Sequence, residues 1–246
     1  MKTLGIERER FIINNKNEIV PEIGILLPEV NSLANERSID NNCFTYELFA
    51  GQIEDRTTIC NNLKELKKAL QENDLILNQA ANKLGLDYEY SEFVDGNRLT
   101  DLKVNPFNQR HQEIFAKIST EQKIAASQVA AVHVHIGVES HEVTSILNSN
   151  RDQLQYLIKL GDHSQGKRIN SYQIMAGEQQ FPPLFNNIDE VMNYIKAKDG
   201  EKNVYDLIRY KPSTGTIEFR MFGITEDIDE IINYASECQR LVLGRR

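Results

Sequence analysis

The chain has 246 residues and a formal net charge of −8, with 40% hydrophobic and 26% charged residues, a composition ordinary for a globular protein. The acidic balance argues against a broad nucleic-acid-binding face, and no apolar run approaches the length of a membrane span. Three widely spaced cysteines, Cys43, Cys60 and Cys238, form no metal-type pairs, and the N-terminus lacks the apolar core of a secretory signal, so a reducing, cytoplasmic setting is expected.

Residues 3–13 read as a strand followed by a turn at 14–18. The segment 43–55, "CFTYELFAGQIED", reads as a bent strand or hairpin broken at Gly51. A long helix follows, with a threonine cap, a stripe of Ile59, Leu63, Leu66 and Leu70, and Gly85 as its stop. Residues 94–108 read as a loop, and helical segments follow through "QRHQEIFAKIS" and "EQKIAASQ". "VAAVHVHIGVES" reads as a buried strand, and 141–160 as a helix with Leu147, Leu154, Leu157 and Leu160 inward. "QQFPPLF" is expected as a loop before a helix at 187–198. "NVYDLIRYKP" and "TGTIEFRMFG" pair around "PSTG", and 226–243 forms the last helix. Strands and helices mix without a steady βαβ alternation and without a Gly-rich phosphate loop. The expectation is one α+β domain over 1–246, with helices packed on an antiparallel sheet.

Four of these segments share an unusual polarity. Residues two apart on a strand face the same way. Glu7 and Glu9 therefore share a face, as do His133 and His135, and Glu218 and Arg220, with apolar residues on the opposite parity. Glu47 and Glu54 are seven apart and converge only if the chain turns between them, which Gly51 allows. If the strands form one sheet, its polar face carries five carboxylates, two imidazoles and an arginine. Either that face is open to water, or hard divalent cations offset its charge. Cations facing Arg220, with Arg209 as a second candidate, suit phosphate. Residue chemistry alone thus reaches a Mg-nucleotide or phosphate-ester site, and leaves nuclease, phosphatase, kinase and ligase open.

"TLGIERERF", "GQIED-x-T", "HVHIGV" and "GTIEFRMF" resemble, in order, the signatures of the type-2 glutamate–cysteine ligases, carboxylate–amine ligases of the glutamine synthetase superfamily. "SYQIMAGEQQFPPLF" and "DLIRYKPSTGTIEFR" are looser matches. The resemblance implies a curved antiparallel sheet with helices on one face, similar to the glutamine synthetase catalytic domain. It implies ATP and two or three Mg²⁺ ions held by Glu7, Glu9, Glu47, Glu54, His133 and Glu218. Glu9, Glu47 and Glu54 would group around one ion, and Glu7, His133 and Glu218 around another. Arg220 and Arg209 would neutralise phosphate oxygens, and His135 would line the nucleotide or acyl side. The implied reaction joins an amino-acid carboxylate, glutamate or similar, to an amine through an acyl phosphate. Arg110 and Arg168 are the candidate substrate-binding arginines. The expected partners are small molecules, and an oligomer is compatible with the family. The alternatives are a non-catalytic nucleotide-binding relative and a guanidino-kinase-like phosphotransferase.

Overall fold

Seven strands form one antiparallel sheet in the computed structural model, which describes residues 2–99, 101–176 and 181–244. The long strand β1 (Leu4–Asn14) lies inside it. One edge of β1 pairs with β3 (Gln52–Arg56), which pairs in turn with β2 (Phe44–Tyr46). Phe11 is opposite both Gln52 and Glu89, so β4 (Leu86–Glu89) runs along the other edge. That edge is shared with β5 (Ala131–Gly137), which takes the first half of β1. Beyond β5 come β7 (Thr216–Gly223) and β6 (Ile208–Lys211).

The two parities of β1 meet different surroundings. Leu4, Ile6 and Ile12 are buried with Val132, Val134, Ile136, Ile217 and Phe219 on one face of the sheet. Against this face pack α1 (Ile23–Glu36), α2 (Leu63–Leu84), α5 (Val143–Arg151), α6 (Leu154–Gly161), α8 (Ile188–Ala197) and α9 (Ile228–Val242). Burying each such aliphatic side chain contributes roughly 1.5–3 kcal/mol, which fixes this parity inward. On the opposite face, α4 (Thr120–Ser127) and α7 (Lys167–Ala176) pack on each other beside α3 (Gln109–Lys117), so the helices are not confined to one side.

Several elements depart from the sequence reading. Helix α1 was not foreseen: it carries an apolar stripe of Ile23, Leu26, Leu27, Val30, Leu33 and Ala34 but holds Pro28 inside, which normally breaks a helix. Helix α2 begins at Leu63 under an Asn62 cap, whose Oδ1 accepts from Glu65 N at 2.9 Å, so the threonine cap is replaced. Ile59 consequently lies outside the helix and is exposed. Gly85 ends the helix as expected, with φ of 68°, the left-handed conformation glycine tolerates. Strand β4 follows directly. The predicted helix over 141–160 is two helices, α5 and α6, broken after Arg151, and Leu160 is only partly buried. The strand in "NVYDLIRYKP" shortens to β6, and α7 occupies a segment with no predicted element. In the "QQFPPLF" loop, 179–180 lie outside the described residues.

Candidate active site

Strand register assembles the polar face. Glu7 is opposite His133 and Arg56, Glu9 is opposite Glu54, and Gly5 is opposite His135. His135 is in turn opposite Glu218, and Glu218 opposite Arg209. Paired residues project to the same face, so one row crosses β3, β1, β5, β7 and β6. Between Val132/Phe222 and Val134/Phe219 the register shifts, leaving Arg220 and Met221 both opposite His133. This bulge re-aims the strand: Arg220 lines the cavity over the polar face while Met221 is buried in the core.

Glu47 reaches the row from the connection between β2 and β3. Its carbonyl accepts from Asn105 Nδ2 at 2.7 Å, and Asn105 N donates to Leu48 O at 3.1 Å. The turn then closes with Gln52 N bonding Phe49 O at 3.2 Å. A Cβ on Gly51 would lie 2.4 Å from the Phe49 ring, so the turn and the buried phenylalanine both require glycine there.

Two clusters result. One ligand atom from each of Glu7, His133 and Glu218 lies within 4.8 Å of the other two, and the same holds for Glu9, Glu47 and Glu54. They adjoin through His133, whose Nδ1 is 3.5 Å from Glu7 and 3.7 Å from Glu218 and whose Nε2 is 3.8 Å from Glu9. His135 Nε2 lies 3.5 Å from Glu7, and its Nδ1 is 3.1 Å from Thr216 Oγ1. Glu7, Glu9, Glu47, Glu54 and His133 line a cavity of about 390 Å³, together with Tyr46, Ile114, Met175 and Tyr172, and Glu218 lies fully buried behind them.

The clusters differ electrically. Burial would raise Glu7, yet His135, His133 and Lys211 hold it well below the usual carboxylate range. Glu218 behaves alike: burial opposes ionisation, but Arg209, His135 and Arg220 keep it strongly depressed. In the other cluster burial and mutual repulsion act together. Burial and the Glu54 charge push Glu9 up to about 8, and burial with Glu9 pushes Glu47 up to about 7. Glu54 is raised well above its usual value by burial, Glu7 and Glu47. Burial lowers His133 to about 4, so its imidazole is neutral and able to coordinate.

This donor set fits hard cations. Each cluster offers at least two carboxylates, and three acids that repel one another are what a divalent ion resolves. His133 Nε2 is buried and lacks a hydrogen-bond partner. An unpaired buried nitrogen beside carboxylate oxygens is costly unless something binds it.

The arginines separate into different roles. Arg209 donates from Nε and Nη2 to Glu218 at 2.7 and 3.1 Å, and from Nη1 to the carbonyls of Val204 and Glu201 at 2.6 and 3.1 Å. That fork holds Glu218, while Arg209 also lines the cavity in which its phosphate contact is expected. Arg220 Nε is 3.3 Å from Glu218 Oε1, and its guanidinium carbon lies 5.8 Å from the Tyr172 ring. Arg110 lines the cavity rim, where Nη2 donates to Asn203 Oδ1 at 2.8 Å. Arg168 is fully buried, bonded to Glu92 and to the carbonyls of Arg220 and Met221. It braces the bulged strand from a fully buried position and is not among the residues lining the cavity, where a substrate-binding arginine is expected. Its α7 neighbour Tyr172 faces the cavity instead.

Sequence reading also passed over Arg56 and Lys211. Arg56 Nε bonds Glu54 and lies 3.6 Å from Glu7, and Lys211 Nζ lies 3.6 Å from Glu7. Each stands two residues beyond a residue already singled out, so the same parity rule that found the acids would have found both.

The family model described as glutamate–cysteine ligase family 2 matches residues 3–160. A relative from Solibacter usitatus, provisionally named glutamate–cysteine ligase 2, is 26% identical over 220 residues, covering 80% of this chain and 54% of that protein. Among solved structures, a bifunctional glutathione synthetase from Pasteurella multocida superposes with TM-score 0.59 at 14% identity, covering 99% of this chain and 40% of that one. A glutamate–cysteine ligase from Francisella tularensis, in complex with AMP, gives TM-score 0.51 at 10% identity, with 99% and 70% covered. These two likenesses concern the fold. The chain spans 54 to 66% of the length of the curated relatives it matches. With the family model matched over more than half of its residues, the chain belongs to glutamate–cysteine ligase family 2.

Proposed function

We infer that this site joins a glutamate-like carboxylate to the amine of a second small molecule, using ATP and two Mg²⁺ ions. The observation that carries this reading is the pair of adjoining ligand clusters on one buried sheet face, with Arg220 beside them. Glu7, His133 and Glu218 would hold one ion, and Glu9, Glu47 and Glu54 the other. The two clusters among the described residues support two ions. The ions supply charge neutralisation at the transferred phosphoryl group and a template for substrate oxygens.

The chain's own residues do the positioning. A substrate carboxylate oxygen forms a bond to the γ-phosphorus of ATP as the bond to ADP breaks. The neutral amine nitrogen then bonds the acyl carbon, the bond from that carbon to the phosphate oxygen breaks, and inorganic phosphate leaves as the amine gives up a proton to solvent. Arg220 stabilises charge on the phosphoryl oxygens. Arg209 fixes Glu218 through its four hydrogen bonds, and Arg56 fixes Glu54. Thr216 sets the ring of His135. Tyr46, Ile114 and Met175 shield one wall from water, which strengthens electrostatic contacts inside.

The reading is tested by recording ADP and phosphate release from Mg-ATP across a panel of amino acids and amines, with product masses. Release that requires both a carboxylate and an amine, with an amide as product, is expected. A phosphorylated product without free phosphate would replace it with the phosphotransferase alternative. Nucleotide binding without turnover on any combination would replace it with the non-catalytic one.

A further inference from the structure

Arg209 stands where sequence places a phosphate-binding arginine, yet its guanidinium is turned onto Glu218 and two backbone carbonyls. Four of its five N–H donors are thereby used, and withdrawing them would leave a fully buried carboxylate without its main counter-ion. Lys211 lies two residues further along β6 and lines the same cavity. Its side chain is 17% exposed, and its ammonium makes a loose ion pair, 3.6 Å from Glu7 Oε1. It is opposite Thr216, which holds His135, so it sits over the Glu7–His133–Glu218 cluster.

We propose that Lys211, rather than Arg209, is the second phosphate-contacting cation of this site, acting with Arg220 on the terminal phosphates of the nucleotide. This rests on the ligase reading above. A divalent ion on Glu7 competes with the Lys211 ammonium for the same carboxylate. Ion binding therefore frees the lysine, whose flexible four-carbon stem lets it swing toward phosphate as a point charge. Arg209 stays on Glu218 throughout and acts as a positioning residue.

The test is calorimetric titration of the whole chain with Mg²⁺ and β,γ-imido-ATP, with AMP as the ligand lacking the terminal phosphates, and with Mn²⁺ alone. In K211M, affinity for the imido analogue should fall about tenfold or more, the scale of one charge-assisted contact. AMP binding should move less than about threefold, and Mn²⁺ should bind as well as before or better, since a competing cation is gone. K211R should stay within about threefold of the original protein for the analogue, which also covers the case that K211M folds poorly. Unchanged analogue affinity in K211M, equal weakening toward AMP and the analogue, or a loss in K211R as large as in K211M would overturn the assignment alone. Failure of the unsubstituted protein to bind the analogue with Mg²⁺ would overturn the ligase reading, and this assignment with it.

Discussion

Glu54 and Asp55 are neighbours on β3, but they face opposite sides of the sheet and opposite electrostatic surroundings. Asp55 meets Arg8 Nη2 at 2.8 Å, Arg10 Nη2 at 3.1 Å and Asn73 Nδ2 at 2.9 Å, while Asp74 of α2 takes the same two arginines at 2.9 and 2.7 Å. Arg10 also lies 5.3 Å from the Tyr90 ring centre. Two arginines and two aspartates there neutralise one another. Glu54 meets Glu9 and Glu47, with Arg56 as its hydrogen-bonded cation. Buried charge is therefore no sign of a site by itself, because one face is already balanced from within. Acids that repel one another where water is scarce are the informative feature.

The sharpest way to break this comparison is to remove one acid from each face. Asp55→Ala leaves two fully buried guanidiniums with Asp74 as their one remaining acid, and chemical denaturation should show a loss of about 3–5 kcal/mol. Glu54→Gln should act with the opposite sign: relief of repulsion should stabilise the metal-free protein by about 1 kcal/mol while removing the part of its thermal response to Mg²⁺ that one of the two ions supplies. Equal destabilisation by both substitutions would erase the distinction between the faces.

A smaller effect comes from pH. Asp55 is depressed: burial opposes its charge, but Arg10 and Arg8 more than offset that. Its stabilisation is present above the ordinary aspartate value, about 3.9, and is lost as pH falls through the folded value. Glu7 and Glu218, also depressed, add to the same acid-side loss. Glu9 and Glu47 are raised, to about 8 and about 7, so the folded state retains protons that the unfolded chain has released. Metal-free stability should therefore fall as pH rises from the ordinary carboxylate range toward 8, and saturating Mg²⁺ should flatten that slope. Melting curves with EDTA and with Mg²⁺ across pH 5–9 check this, and identical slopes would count against it.

Much of the site was legible because strand parity is a strict period of two. Glu7, Glu9, His133, His135 and Glu218 face the cavity side on that rule alone, and Arg8 and Arg10, on the other parity of β1, face the opposite side. What parity missed has physical causes. The buried residues of α7 are Arg168, Ser171 and Tyr172, the first two held by hydrogen bonds, so a hydropathy pattern does not register the helix. The bulge beside Arg220 depends on pairing with β5, and no local sequence feature announces it. Whether Arg209 faces phosphate or Glu218 depends on the carbonyls of Val204 and Glu201, which only the folded chain brings to it.

A polar face built by convergent strands into a two-cation site should bind a countable number of ions. Mn²⁺ binding counted by electron paramagnetic resonance on the whole chain tests it most directly. Two ions per chain are expected, one lost in Glu54→Gln and the other in His133→Ala. No high-affinity ion, or two ions retained in both variants, would contradict it.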